Sequence, residues 1–127
     1  MTLSLYPCPC CGYLTLEGPP ATDNHCPVCG WQDDLAQLRF AATRYGPNGG
    51  RSLVDAQKNF AEYGTSKPGY QPRHPSPEGI KRDKEWRPID LDRDNIELSS
   101  VGDQGRTYPQ DRTTLYYWRE TYWRKLR

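Results

Sequence analysis

The sequence predicts one domain of the α+β class. Three observations carry that prediction: a cysteine pattern that occurs twice within the first 31 residues, one well-capped helix in the middle, and a stripe of large aromatic side chains near the C-terminus. The 127 residues are the size of one ordinary domain. Residues 1–31 form its cysteine-rich part, 32–90 a middle part and 91–127 a C-terminal extension. Ile, Leu, Val and Phe together number only 19, but the net charge is +1, and 4 Trp and 9 Tyr supply further apolar area. Such a chain folds around a thin aromatic core whose Tyr and Trp polar tips need hydrogen-bond partners.

The cysteines come first in the argument. Cys8-Pro9-Cys10-Cys11-Gly12 and Cys26-Pro27-Val28-Cys29-Gly30 both read C-P-x-C-G. A C-x-x-C turn points two thiolates to one side, and the glycine after the second cysteine permits the positive φ such a turn needs. Two of these turns supply the four thiolates of a closed tetrahedral metal site, with Cys8, Cys11, Cys26 and Cys29 as ligands. They are expected to hold one structural Zn2+ per chain and to build a small rubredoxin-like zinc ribbon with a short antiparallel sheet. Iron is the competing metal, because C-x-x-C-G-Tyr over Cys8 to Tyr13 is also similar to rubredoxin. The 14 residues between the knuckles are far fewer than in rubredoxin and favour zinc. A closed four-sulfur site leaves no open position for water, which argues against metal-assisted hydrolysis. Cys10 is the extra thiol. Two metal-bound thiolates beside it make it a poor nucleophile, so it reads as a small packed residue. His25 is awkwardly placed for a ligand next to Cys26, and His74 reads as a loop residue.

The remaining elements follow in chain order. Tyr13-Leu14-Thr15-Leu16 alternates like a short strand and stops at Glu17-Gly18-Pro19-Pro20. Gln37-Leu38-Arg39-Phe40 also alternates and is assigned to a strand, although Leu35, Leu38 and Ala42 fit one helical face. Gly46 to Gly50 is a turn. Ser52 to Gly64 is the central helix, with Ser52 as N-cap, Asp55 completing a capping box, and Gly64 as the left-handed stop. Its apolar face reads Leu53, Ala56, Phe60 and Tyr63. Residues 65–88, with prolines at 68, 72, 75, 77 and 88, read as extended chain wrapping a neighbouring surface. Residues 83–103 hold seven acids against three bases and read as a solvated loop. A final helix is expected from Thr113 to Lys125, because Leu115, Trp118, Tyr122 and Leu126 make one stripe that Tyr116 and Trp123 widen. In that helix Leu115 and Tyr122 are expected to be buried. Tyr116, Trp123, Trp118 and Arg124 are the candidate partner-binding residues, since Trp, Tyr and Arg are typical interface anchors.

The cysteine-rich half resembles a known family. Tyr6-Pro7-Cys8-Pro9-Cys10-Cys11-Gly12, then Cys26-Pro27-Val28-Cys29, then Trp31 with Asp33-Asp34, is similar to the cysteine-rich CPCC family of small bacterial proteins. Gly49-Gly50, Ser52-Leu53, Ala56-Gln57 and Asn59-Phe60 are similar to its glycine turn and helix, and Arg73, Pro75 and Trp86-Arg87-Pro88 to its ending. The resemblance spans roughly residues 5–90. It departs at Gly30, where many members carry a bulky aromatic, and does not reach residues 91–127. It implies a zinc-binding fold and a bacterial source, and little about activity.

No stretch approaches the ~20 apolar residues of a membrane span, and Met1 to Pro7 lacks the basic start and apolar run of a signal peptide. The cytoplasm is therefore expected. The function expected is a non-enzymatic, zinc-stabilised protein-binding module, in its concrete form a bacterial immunity or antitoxin protein that neutralises a cognate toxin. One alternative is a zinc-ribbon nucleic-acid-binding protein. Residues 112–127 carry five bases and one acid, but the near-neutral chain argues against a phosphate-binding surface. The other alternative is a thiol-redox protein using Cys10.

Overall fold

The structure, a computed structural model, describes residues 5–71, 78–97 and 108–124. Strand β1 (Tyr6–Pro7) pairs antiparallel with β2 (Leu14–Leu16), Tyr6 opposite Leu16 and Pro7 opposite Leu14, with an irregularity between the two pairs. This hairpin carries the first C-P-x-C-G turn at its tip. The second turn is closed by a single bridge, His25 to Gln32. The core gathers around these two turns. All five cysteines are buried together with Leu16, Val28, Trp31, Leu38, Leu53 and the C-terminal aromatics.

The segment assigned to a strand at Gln37 to Phe40 is instead helix α1 (Leu35–Arg39). Asp34 caps it by accepting from Gln37 N at 3.0 Å. The fully buried Gln37 amide then donates to the carbonyls of Thr43 (3.0 Å) and Arg51 (2.8 Å) and accepts from Asn48 Nδ2 (2.8 Å). These bonds satisfy the turn over residues 43–51, which a strand at this position would leave unpaired. A five-residue helix is also too short to leave a 3.6-residue signature.

The central helix, α2 (Leu53–Tyr63), forms as the sequence predicts. The Ser52 hydroxyl accepts from Asp55 N, and the Asp55 carboxylate accepts from Ser52 N, both at 3.0 Å. Gly64 closes the helix at φ 81°. Arg44 pairs with Asp55 at 2.9 Å and holds its carboxyl down at about 2. The buried face differs from the predicted one. It is Leu53, Ala56 and Gln57, with Phe60 half-buried and Tyr63 54% exposed. The face is rotated because Gln57 has specific work in the interior. Its amide donates to Pro9 O (2.9 Å) and Tyr117 Oη (2.8 Å), and its carbonyl accepts from Ile89 N (2.8 Å). A polar residue thus joins the first cysteine turn, α2, the 83–97 strip and the C-terminal segment.

Residues 65–71 and 78–88 are irregular, as expected, apart from the bridge of Tyr13 to Arg82. The acidic run is not the solvated loop that composition suggests. Asp83, Asp94 and Glu97 are largely buried and pair with Arg119 (2.7 Å), Arg87 (2.6 Å) and Arg39 (2.9 Å). Burial of a carboxylate requires such partners. The part of the run from Leu98 to Asp103 lies outside the described residues.

The C-terminal helix expected over Thr113 to Lys125 is absent from the described residues. A short 3-10 turn at Arg112–Leu115 leads into extended chain at Tyr116 and then into turns. The cause is burial of three consecutive aromatics, which successive helical positions 100° apart would spread around the axis. Tyr116 stacks on Trp118 at 4.8 Å across the turn that Arg119 N closes on Tyr116 O (3.2 Å). Tyr117 points away, with its hydroxyl between Gln57 and the Arg87 carbonyl. Trp118 Nε1 donates to Asp83 at 3.0 Å. Leu115 and Tyr122 are buried as expected. Lys125 and Leu126 lie outside the described residues.

Two stability measurements check this packing. Ser52→Ala should cost about 1 kcal/mol in denaturant unfolding. Gln57→Ala removes the partner of Ile89 N and one of the two partners each of Pro9 O and the Tyr117 hydroxyl. It should cost about 1–3 kcal/mol for the orphaned N–H, more than Phe60→Ala, whose side chain is only half-buried. The reverse order would place the core on the predicted apolar face.

Candidate metal centre

The two C-P-x-C-G turns are built alike, atom for atom. In the first, Cys8 N donates to Tyr13 O (2.9 Å) and Gly12 N to Cys8 O (2.7 Å). In the second, Cys26 N donates to Trp31 O (2.9 Å) and Gly30 N to Cys26 O (2.8 Å). Gly12 and Gly30 sit at φ 81° and 84°, the left-handed region that an L side chain resists. Each glycine also lies under an aromatic ring. A Cβ on Gly12 would stand 2.6 Å from the Trp86 indole, and one on Gly30 would stand 2.5 Å from the Tyr70 ring.

This arrangement brings Cys8, Cys11, Cys26 and Cys29 together, with all four sulfurs within 4.8 Å of one another and no exposed surface. Cys8 Sγ and Cys29 Sγ are 3.6 Å apart, and Cys11 Sγ and Cys26 Sγ 3.7 Å. A disulfide would bring a pair to about 2.05 Å. Four sulfurs at a metal–sulfur distance of about 2.3 Å stand about 3.8 Å apart at the corners of a tetrahedron. The cluster therefore fits a metal ion with four thiolate ligands. Charge leads to the same place. Burial pushes the Cys8, Cys11 and Cys29 thiols well up, while hydrogen bonds from Cys11, Cys29 and Cys8 drive Cys26 down. Four thiolates this close and this buried repel one another, and a bound dication would make them stable together there.

The surroundings hold the ligands in place. Thr15 Oγ1 donates to Cys26 Sγ at 3.2 Å. Trp86 Nε1 donates to Pro9 O (3.0 Å), Arg82 Nε to Cys11 O (2.8 Å) and Ser66 N to Cys29 O (2.7 Å). The Arg82 guanidinium lies 4.7 Å from the Tyr13 ring and 4.9 Å from the Trp86 ring. Sequence reasoning found the four ligands but not Gln57, Tyr70, Arg82 or Trp86 as their supports. The one available signal was Trp86, an aromatic with a donor, set in a run of charged residues. Cys10 is fully buried within the first turn, and a reagent reaches its sulfur only by opening that turn.

With the geometry in view, the comparison with known proteins is direct. The family described as Cysteine-rich CPCC matches residues 6–79. The chain belongs to the cysteine-rich CPCC family. No curated protein and no solved structure matches it. The family match contains both cysteine turns, α1, α2 and Tyr70. It stops before Trp86, the ring that covers the first turn of this CPCC protein, and before the whole acidic strip and C-terminal segment.

The candidate partner-binding residues are placed differently from expectation. Tyr116 and Trp118, 3% and 5% exposed, are core residues and present no docking face as a pair. Trp123 is 36% exposed, with the Arg39 guanidinium 4.8 Å from its ring. Arg124 is half-buried and donates to Asn95 O at 2.8 Å. Neither His25 nor Cys10 joins the four-sulfur cluster. His74 lies outside the described residues.

Two substitutions test the centre. Gly30→Ala meets both an unfavourable backbone region, worth about 1–2 kcal/mol, and the Tyr70 ring. It should lower both metal content and melting temperature. Trp86→Ala should leave the four ligands intact and speed transfer of the metal to a competing chelator. An unchanged transfer rate would show that the ring does not guard the first turn.

Proposed function

We propose that the protein is a non-enzymatic binding module in which one zinc ion, held by Cys8, Cys11, Cys26 and Cys29 in a rubredoxin-like ribbon, stabilises a surface that recognises another protein. The observation that supports this reading best is the closure of the metal site. Four buried thiolates fill the coordination sphere, so the ion serves architecture rather than a bound water. Zinc is favoured over iron by the 14-residue segment between the turns. The cytoplasm, which keeps five cysteines reduced, is the proposed location. Among the described residues no helix is long and apolar enough to cross a membrane. Toxin neutralisation is the concrete form to test first.

The nucleic-acid reading has less support. Arg112 donates to Pro20 O, Arg119 holds Asp83 and Glu85, and Arg124 holds Asn95. These arginines serve the chain's own acceptors, so they do not present a free phosphate-binding stripe. The thiol-redox reading requires an accessible Cys10, and that sulfur is buried.

The test begins with the metal. Elemental analysis of purified protein should give one zinc per chain, and chelation should unfold the ribbon, since such sites contribute roughly 10–16 kcal/mol of apparent binding free energy. Cys10→Ala should keep the zinc, whereas Cys8→Ser should lose it. Cross-linking and affinity capture from the source cell should then recover a protein that relieves or causes toxicity when co-expressed. Retention on heparin with a steep salt dependence, and no protein captured, would replace this reading with the nucleic-acid one.

A further inference from the structure

A cleft of about 640 Å³ lies between the β1–β2 hairpin, the strip from Lys81 to Glu85 and the C-terminal segment. That volume falls within the ~300–1,000 Å³ of ligand sites, but the cleft is open to solvent along one side, which suits an extended chain better than an enclosed small molecule. Its apolar surface comes from Leu5, Pro7, Leu14 and the Tyr116 ring, and Leu5 is left 42% exposed at the mouth.

The charges along the cleft divide into two groups. Arg119 is engaged with Asp83 and Glu85, and Arg82 is parked against two rings and the Cys11 carbonyl. Lys81 and Lys84 are exposed and find no acid partner among the described residues. Two unneutralised ammonium groups therefore stand beside an apolar surface. A second observation comes from Tyr116. Its ring is fixed by the stack on Trp118 at 4.8 Å and by the Arg119 guanidinium at 5.9 Å. Although only 3% of the residue is exposed, its hydroxyl reaches the surface of the cleft and makes no hydrogen bond with the described residues, so it is open to a ligand. Burial pushes this phenol up, so it stays protonated and able to donate.

We infer that this cleft is the site at which the protein takes its partner, an extended acidic peptide segment whose bulky apolar side chain rests on Leu5, Pro7, Leu14 and Tyr116 while its carboxylates meet Lys81 and Lys84. A backbone carbonyl of the segment accepts from the Tyr116 hydroxyl. This rests on the protein-binding reading above and adds the location and chemistry of the contact. It also gives Tyr116 a part in recognition through its one hydroxyl rather than through an exposed ring.

The experiment uses the full-length zinc-loaded protein and a phage-displayed random peptide library. Enriched peptides should combine acidic residues with a large apolar one. A synthetic enriched peptide should bind Lys81→Glu/Lys84→Glu at least about tenfold more weakly, in a salt-sensitive way. Tyr116→Phe, which keeps the stack and removes only the hydroxyl, should weaken binding about three- to tenfold at all salt concentrations. Because both lysines are exposed, the double variant should keep its zinc and its melting temperature. No enriched peptide, or enriched peptides that bind the double variant equally well, would overturn the site. A captured partner protein that still binds the double variant would overturn it too, and leave the protein-binding reading standing. Oligonucleotide binding that vanishes in the double variant would overturn both.

Discussion

The rest of the structure is arranged around four buried sulfurs, whose repulsion as thiolates a bound cation would cancel. Cys8, Cys11, Cys26 and Cys29 occupy the centre of a core with few aliphatic residues, and the nearest apolar side chains pack around the turns that carry them. A chain with this little Ile, Leu, Val and Phe cannot rely on burial alone. A metal held by these four cysteines would supply a cross-link where a larger protein would place a second layer of hydrophobic side chains.

Around that centre, polar bonds do the joining that secondary structure does elsewhere. The only described sheet has two strands, and the helices are short. Gln57 ties four parts of the chain together, Asp83 collects Trp118 and Arg119, and Arg39 joins α1 to Glu97. The Arg39 guanidinium also lies against the rings of Phe40, Tyr108 and Trp123, each at under 5 Å. These bonds commit the segment beyond the family match to the interior. The C-terminal residues cover α2 and the first cysteine turn, and are not an appendage.

What could be read in the sequence was whatever depends on neighbours in the chain. The two C-P-x-C-G turns, the Ser52–Asp55 box and the Gly64 stop are local, and the structure contains each of them. Phe60 and Tyr63 were misjudged because helical spacing cannot reveal that Gln57, a polar residue, is buried by partners 48 and 60 positions away. Leu115, Trp118, Tyr122 and Leu126 gave a helical stripe, but the shape of the run Tyr116-Tyr117-Trp118 is set by Asp83, Gln57 and Arg87, none of which is near in sequence. The acidic strip failed for the same reason: Arg39 and Arg119, the partners of Glu97 and Asp83, lie 58 and 36 positions away. Of the metal centre, the ligands were legible and the aromatic covers were not, since Tyr70 and Trp86 reach the glycines only through the fold.

The placement of the cysteine turns has a kinetic consequence. Each turn closes within itself, and the sulfur pairs that join them span 15 and 21 residues, so bringing them together closes only short loops. The bonds that dock the end of the acidic strip on α1 and the C-terminal segment on α2 span 58 and 60 residues. On a ribosome the N-terminal turns emerge first and can take up their ion while the rest of the chain is still being made. The metal-bound turns would then be the template onto which α2 and finally the aromatic segment condense, and the supply of the metal during synthesis would set how much of the chain finishes folding.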